Sequence, residues 1–490
     1  MTRICVSLTE TTTEGIVDRM VDLGRVADLF EVRADMVADL DMLTLLRART
    51  RPLIFTCRSA QEGGHWKESE TSRRMTLLEA VKRGFDYIDV EHHSDFLDVI
   101  VEKSGKGLIL SFHDLEGVPG DLEALYSKMV ARGADIVKIA VTPRSVADVG
   151  RLLAFARRTA AMGGKPLVAV AMGPLGVLTR VLAGRYGAPF TYASAERGCE
   201  AASGQIPARE MAETYRARSV SPATKVYGIL GSEVGHSLSP VIHNHAFAAR
   251  GIDAVYVPLQ SEGVAPFVAA LPELGLSGFS VTRPYKTAIL RHCQEVEEAA
   301  ALCGSANTVA IQDGVLRAST TDGLGVTAPL RRLVDLKGKN VVILGAGGAA
   351  RAAAMALRKK GARVTVFART DAKAAAMAAA VGCAYAPMAD LAKRSWDVLI
   401  NATPVGSSPS PSETLVPSSL HRRGSVVFDM VYDPLETRLL REAKAAGCAT
   451  VSGIEMLLAQ AVAQFETWTG LEAPADVMKS ALLRAAQERP

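Results

Sequence analysis

The sequence predicts an α/β protein in two halves: an eight-stranded β/α barrel, then a two-lobed α/β unit ending in an open parallel sheet. Three observations carry this. The first 215 or so residues alternate eight short apolar runs with helical patterns, and a closed parallel barrel needs about 200 residues or more for its eight units. A polar, proline-bearing stretch, Arg216–Lys225 (RARSVSPATK), then breaks the rhythm as a linker does. Further on, Lys339–Leu344 runs directly into Gly345-Ala346-Gly347-Gly348-Ala349-Ala350-Arg351, the order strand, glycine turn, helix.

The eight apolar runs are Ile4–Leu8, Leu29–Arg33, Leu53–Cys57, Tyr87–Val90, Leu108–Phe112, Ile136–Val141, Leu167–Ala171 and Phe190–Ala193. Helical patterns such as Asp121–Ala131 and Val146–Ala161 lie between them. Strand count alone also fits an open, doubly wound sheet. The polar residues favour a barrel: Glu31, Arg33, Arg58, Glu91, His113 and Lys138 fall at or just past the ends of successive runs. In a barrel those ends converge on one face. Beyond the linker, strands are expected at Val226–Gly231, Ala254–Leu259 and Phe279–Thr282. Others follow at Lys339–Leu344, Val364–Phe367, Val398–Ile400 and Val426–Met430, with a helical region from Gly453. The expected domains are residues 1–215, a linker at 216–225, a lobe of 226–326 with 455–490, and a second lobe at 327–454.

Composition narrows the function classes. The 490 residues are 48% hydrophobic and 22% charged, with a net charge of only +4. No basic stripe stands out, which argues against a nucleic-acid partner. Seven scattered cysteines without a C-x-x-C pair point away from disulfides and zinc ribbons, toward a reducing compartment. The strand-like Ile4–Leu8 leaves no room for a signal peptide, and glycines with Arg351 break the longest apolar stretch, Val341–Leu357. A soluble cytoplasmic enzyme is expected, with no membrane partner.

Lys138 sits inside an apolar strand, where burial favours the neutral, nucleophilic amine unless a carboxylate pairs with it. An amine attacking a ketone and a structural ion pair are both open readings. His113 ends the preceding strand and would stand beside Lys138 as a general acid/base, with Glu91 holding its imidazole. Arg33, Arg58 and Arg180 offer cationic forks for a carboxylate. In the second half, Gly345-x-Gly347-x-x-Ala350 is a dinucleotide fingerprint in its required context. Arg369 stands at the end of the next strand, where an acidic residue would select NAD, so NADP is expected. Lys286 and Asp322 are loop charges. His243-x-His245 and His92-His93 lack a third ligand at a plausible spacing, so no metal is expected.

Together the motifs become specific. Glu31-Val32-Arg33, Thr56-Cys57-Arg58, Asp89-Val90-Glu91, Ser111-Phe112-His113-Asp114, Val137-Lys138, Met172-Gly173-Pro174-Leu175-Gly176 with Arg180, and Gly204-Gln205-Ile206-Pro207 resemble type I 3-dehydroquinate dehydratase over about residues 3–215. The resemblance implies a TIM barrel in which Lys138 forms an imine with the substrate ketone and His113 moves protons. It further implies that Arg180 clamps the carboxylate while Glu31, Arg58, Ser203 and Gln205 hold hydroxyls, under a lid at Gly198–Gln205. A class I aldolase shares barrel and lysine, but not this histidine and arginine clamp.

Ser237-Leu238-Ser239-Pro240, Ser280-Val281-Thr282 with Lys286, Ser305-Ala306-Asn307-Thr308, Asp322, Asn401-Ala402-Thr403-Pro404-Val405-Gly406, Asp429–Pro434, and Gly453 with Met456 and Gln460 resemble shikimate dehydrogenase over about 226–488. That resemblance implies a Rossmann lobe for NADP(H) and an acid/base pair of Lys286 and Asp322. Ser237, Ser239, Thr282, Asn307, Tyr432 and Gln460 would bind substrate. Gly345 to Ala350 (Ala346, Gly347, Gly348 and Ala349 between them), with Arg369, Thr370, Thr403, Gly453 and Met456, would bind cofactor. Ser280, Thr320 and Ala368 depart from the commonest bacterial pattern, which has Asn at each. Two consecutive reactions are thereby implied for one chain: 3-dehydroquinate to 3-dehydroshikimate, then reduction to shikimate. A catabolic quinate dehydrogenase fusion and a catalytically silent metabolite sensor are the alternatives; the sensor should lack Lys138, His113, Lys286 or Asp322, and this chain keeps all four.

Overall fold

The computed structural model describes residues 2–102 and 107–488. They group into two compact units, Met1–Pro240 with Ile252–Leu276 and Val241–Gly251 with Ser277–Pro490.

In the first unit the strands are β1 (Arg3–Leu8), β2 (Leu29–Arg33), β3 (Leu53–Thr56), β4 (Tyr87–Glu91), β5 (Gly107–Asp114), β6 (Ile136–Val141), β7 (Leu167–Ala171) and β8 (Phe190–Ser194). They pair in the order β7-β6-β5-β4-β3-β2-β1-β8, and every pairing is parallel. Both faces of such a sheet are covered, so the strands read as unbroken apolar runs instead of alternating ones. Cys5, Leu29, Ile54, Ile109, Val168, Phe190 and Tyr192 fill the interior as a packed core. The short helix Val177–Val181 ties β7 to β8: Ala171 N donates to Thr179 Oγ1 (3.0 Å), and Thr191 Oγ1 donates to Arg180 O (2.8 Å).

The polar stretch at 216–225 is held in place. Arg218 pairs with Asp28 at 2.8 Å, and Arg216 Nη2 donates to Ala254 O at 2.9 Å. β9 (Lys225–Gly231) and β10 (Ala254–Gln260) pair in parallel and cluster with the barrel. Arg185 reaches Gly275 O (3.2 Å), and Val146 N donates to Glu262 (3.3 Å). Polarity therefore marks where the barrel's own chain ends, while close packing continues past it.

The second unit holds two sheets. In one, β11 (Gly278–Val281) is antiparallel to β13 (Thr308–Gln312), which forms a hairpin with β14 (Val315–Ser319); β12 (Glu295–Val296) adds in parallel. The hairpin turn is Asp313-Gly314 with φ of 52° and 79°, the pair that a two-residue turn of this hand favours. The other sheet is parallel throughout: β15 (Asn340–Leu344), β16 (Arg363–Ala368), β17 (Ala384–Pro387), β18 (Val398–Asn401), β19 (Val426–Asp429) and β20 (Ala449–Val451). Its order, β17-β16-β15-β18-β19-β20, reverses between β15 and β18, where such sheets bind ligands. Ala350, Ala353, Ala354 and Leu357 pack on one face; Trp396, Leu439 and Leu440 pack on the other. No helix among the described residues is long and apolar enough to cross a membrane.

The turn after β7 depends on a glycine. A Cβ on Gly176 would lie 1.9 Å from the carbonyl oxygen of Ala171. Gly176→Ala should therefore cost the barrel about 1–3 kcal/mol, the usual price of overpacking. Urea unfolding followed by near-UV circular dichroism checks this, and an unchanged midpoint would refute it.

Candidate active sites

At the carboxyl ends of the barrel strands, ionisable groups meet away from solvent: Glu31, Arg58, Glu62, Asp89, Glu91 and Lys138 are all buried. Register makes this possible: Glu31 and Arg33 lie two apart on β2, Asp89 and Glu91 two apart on β4, and Ser111 pairs with Lys138 across β5 and β6. Lys138 Nζ donates to Asp89 Oδ2 at 3.2 Å and to Glu31 Oε1 at 3.5 Å, and lies 4.2 Å from the centre of the Tyr192 ring. Ser7 and Thr56 also donate to Glu31, while Arg58 and Ser111 donate to Asp89. Burial works against ionising both carboxyls, yet the adjacent cations win. Arg58 and Lys138 hold Asp89 down to about 2, and Lys138 and Arg33 hold Glu31 below the usual carboxylate range.

His113 Nδ1 lies 2.7 Å from Glu62 Oε2. The sequence expectation gave that place to Glu91, and the structure corrects it. Glu91 is engaged by other groups: its Oε1 accepts from Ser59 N (2.8 Å), and its Oε2 lies 3.1 Å from Arg73 Nη2. Glu62 reaches the ring because its loop folds back sharply. Gly63 has φ +78°, and a Cβ on Gly64 would sit 2.1 Å from Arg58 O. The signal was available in Arg58-x-x-x-Glu62-Gly63-Gly64 but was not used. Burial raises Glu62 to about 8 in spite of Arg58, with Glu91 and Asp89 adding like charge. Burial, then Arg58, Lys138 and Arg33, hold the His113 imidazole well below its usual range.

The three expected anion-binding arginines differ. Arg33 spends both arms of its fork on Asp35 (2.9 and 2.8 Å). Arg58 faces Asp89, Glu62 and Glu91. Arg180 is fully buried with no carboxylate against it among the described residues; its Nε has no hydrogen bond and its Nη2 only reaches Ser203 O at 3.4 Å. Burial lowers it to about 10. An uncompensated buried guanidinium is the natural seat for an anion. Gln205 joins the same face, donating to Ser7 Oγ at 3.2 Å, while its Oε1 accepts from Ala201 N. Glu62, Glu91 and His93 come close enough to hold a metal ion, but Arg58 and Arg73 already face both carboxylates.

In the second unit, Asp322 is the hub. Lys286 Nζ donates to both its oxygens (2.9 and 2.8 Å), and Asn307 Nδ2 (2.9 Å) and Gln460 Nε2 (2.7 Å) donate to Oδ1. Asp322 is buried and opens helix Asp322–Leu330. A Cβ on Gly325 would lie 2.8 Å from Gln460 Cγ, so glycine there lets helix Gly453–Thr469 bring Gln460 in. Thr282 follows β11 directly, and Ser280 on β11 donates to Gln464 Oε1 at 3.0 Å. Thr320 Oγ1 accepts from Asp322 N. Ser237 and Ser239 belong to the first unit, at the start of helix Ser239–Ala249, where Ser239 N donates to Ser237 Oγ.

The fingerprint forms a glycine cradle. Gly345 has φ +114°, and a Cβ there would lie 2.9 Å from Ala402 O. A Cβ on Gly347 would meet nothing within 4 Å, and no side chain caps helix Gly348–Lys359. A helix start without a side-chain cap, beside open space, suits a phosphate. Ala350 is buried against the sheet, and Ala346, Gly348 and Ala349 complete the turn. Arg369 is exposed at the end of β16, beside Thr370 and Ala368, with no ion-pair partner among the described residues. On β15's other side, Thr403 Oγ1 donates to Asn401 Oδ1, Asn401 Nδ2 donates to Asp429, and Thr437 donates to Asp429. Asn401 and Asp429 were not expected as site residues. Gly453 approaches Met430 O and Val431 O, leaving no room for a Cβ, and Met456 packs one turn along.

Four family descriptions match the chain in order: type I 3-dehydroquinase over 4–222, shikimate dehydrogenase substrate binding domain over 229–309, shikimate/quinate 5-dehydrogenase over 329–430, and shikimate 5′-dehydrogenase C-terminal domain over 453–483. The chloroplastic bifunctional 3-dehydroquinate dehydratase/shikimate dehydrogenase of Arabidopsis thaliana is 36% identical over 94% of this chain and 81% of its own length. Shikimate dehydrogenase (NADP(+)) of Methanothermobacter thermautotrophicus is 42% identical over 54% of this chain and 98% of its own. The Thermus thermophilus shikimate 5-dehydrogenase solved with NADP(H) and shikimate superposes with a TM-score of 0.50 at 36% identity, over 54% of this chain and all of that one. With both catalytic halves matched in sequence order, the chain belongs to the family of bifunctional 3-dehydroquinate dehydratase/shikimate dehydrogenases.

Proposed function

We propose that Lys138 and His113 carry the dehydration of 3-dehydroquinate, and that Lys286 and Asp322 carry the reduction of 3-dehydroshikimate to shikimate. The observation that weighs most is the meeting of a paired buried lysine, a carboxylate-held histidine and a counterion-free arginine at one barrel mouth. Arg180 seats the substrate carboxylate. Lys138 gives a proton to a neighbouring carboxylate and attacks the ketone carbon; loss of water leaves an iminium, the electron sink that makes the adjacent C–H acidic. His113, through the nitrogen Glu62 does not engage, takes that proton. The resulting enamine expels the hydroxyl, which leaves as water with the proton from His113, and hydrolysis frees Lys138. Glu31, Arg58, Ser203 and Gln205 orient ring hydroxyls.

The Glu62–His113 pair sets the pH dependence. While Glu62 keeps its proton, the pair holds one proton too many for His113 to act as a base. Loss of that proton, as pH rises through about 8 in the free enzyme, leaves Nδ1–H donating to Glu62 and the other nitrogen open. Dehydration should therefore quicken with pH through that range.

In the second unit, Lys286 delivers a proton to the oxygen of the reacting carbonyl while Asp322 holds the ammonium in place, and solvent water afterwards returns a proton to the amine. Thr282, Asn307, Tyr432 and Gln460 bind the substrate. The glycine cradle fits a dinucleotide pyrophosphate, and NADPH bound there supplies hydride. Arg369 and Thr370 take the 2′-phosphate, while Thr403, Gly453 and Met456 line the nicotinamide end. The reading divides the chain at 216–225, with 327–454 as the nucleotide lobe. Seven free cysteines suit a reducing, cytoplasmic setting.

Three measurements test these roles. Borohydride added with 3-dehydroquinate should fix a mass adduct on Lys138; turnover with that lysine unmodified would sink the imine. Asp322→Asn should slow shikimate oxidation at least a hundredfold and leave dehydration intact, and a joint loss would contradict separate sites. Arg369→Asp should raise KM for NADPH tenfold or more while barely moving that for NADH, whereas equal effects would remove the phosphate assignment.

A further inference from the structure

Arg73, on helix Glu70–Arg83, is a charged side chain with almost no exposure. Its guanidinium donates to Cys57 O (3.1 Å) and Ser94 Oγ (2.9 Å), pairs with Glu70, lies 3.1 Å from Glu91 Oε2, and stacks 4.8 Å from the Phe96 ring centre. Cys57 immediately precedes Arg58, and Ser59, immediately after it, donates its N–H to Glu91 Oε1 (2.8 Å). The ion pair thus grips the backbone on both sides of Arg58. From there Arg58 reaches Asp89 and Ser111, and three residues past Ser59 the chain presents Glu62 to His113. A buried ion pair is a poor way to gain stability, because an apolar filler of the same volume usually does as well. Its worth lies in the position it imposes.

We propose that Arg73 and Glu91 are a positioning pair for the dehydratase base: they fix the Cys57–Glu62 segment so that Glu62 meets His113 and Arg58 meets Asp89, and neither touches the substrate. The proposal rests on His113 being that base. It also accounts for Glu91 standing in the site without contacting the imidazole.

Full-length Arg73→Met, Arg73→Lys and Glu91→Gln chains test it, with shikimate oxidation by the same preparations as the control for folding. Arg73→Met should lower the dehydration kcat at least tenfold with KM within threefold, since Arg180 is untouched. Arg73→Lys should recover part of the loss. Glu62 is faced by Arg58 from its own segment, by Glu91 and His93 from β4 and the turn after it, and by His113 from β5; Asp89 and Lys138 stand behind. Glu91→Gln removes one negative charge from that set, so the rising limb of dehydration should move to lower pH. A dehydration kcat within twofold of wild type in Arg73→Met, both activities falling together, or a limb that stays in place would each overturn the proposal. Failure of the base assignment itself would look different: His113→Ala would then retain dehydration.

Discussion

Pairing of buried charge at the barrel mouth is the constraint from which the rest of the first unit follows. Lys138, Arg58, Arg73, Glu31, Asp89, Glu62 and Glu91 are all buried or nearly so, and each would be prohibitively costly alone. The strands supply partners at fixed two-residue steps, and the hydroxyls of Ser7, Thr56 and Ser111 take up remaining lone pairs. Every cation in the cluster is matched except Arg180. That leaves one buried guanidinium without a counterion, the place that the proposed function gives to the substrate carboxylate.

The proposed dehydrogenase centre solves the same problem with fewer charges. One carboxylate, Asp322, takes a cation from one loop and neutral amides from two other elements. Neutral donors can be brought together without mutual repulsion, so this site needs no wider ionic frame. Its precision comes instead from close backbone approach. Gly325, Gly345 and Gly453 each stand where a Cβ would strike a neighbour.

Much of this was legible in the sequence, for physical reasons. Parallel strands covered on both faces leave unbroken apolar runs, so all eight barrel strands were found within two residues at each end, the polar tails of β4 and β5 that carry Glu91 and Asp114 being among the differences. Lys138 and His113 stood out as polar residues in or at the end of such runs. Short elements were lost: β12 is two residues long, and β17 and β20 carry little apolar signal. The β13–β14 hairpin had its Asp-Gly mark, which went unread. Glu62 was missed because a loop glutamate resembles any surface charge until Gly63 and Gly64 turn it inward. Glu91 was misplaced for the complementary reason: spacing shows which face a residue takes, but not which of two competing partners claims it. Arg73 was invisible because a helix arginine pairing three residues back looks like a solvated face.

The helix Gly453–Thr469 has a consequence for how the protein is made. Every barrel residue proposed to act lies at or before Gln205, whereas the proposed dehydrogenase centre joins Lys286 and Asp322 to Gln460, which follows Asp322 by 138 residues. During synthesis all the barrel groups proposed to act emerge before Lys286, Asp322 and Gln460 do. Asp322 stays short of one hydrogen-bond donor until Gln460, 138 residues later, emerges. The order of reactions is thus matched by the order in which the two centres become complete.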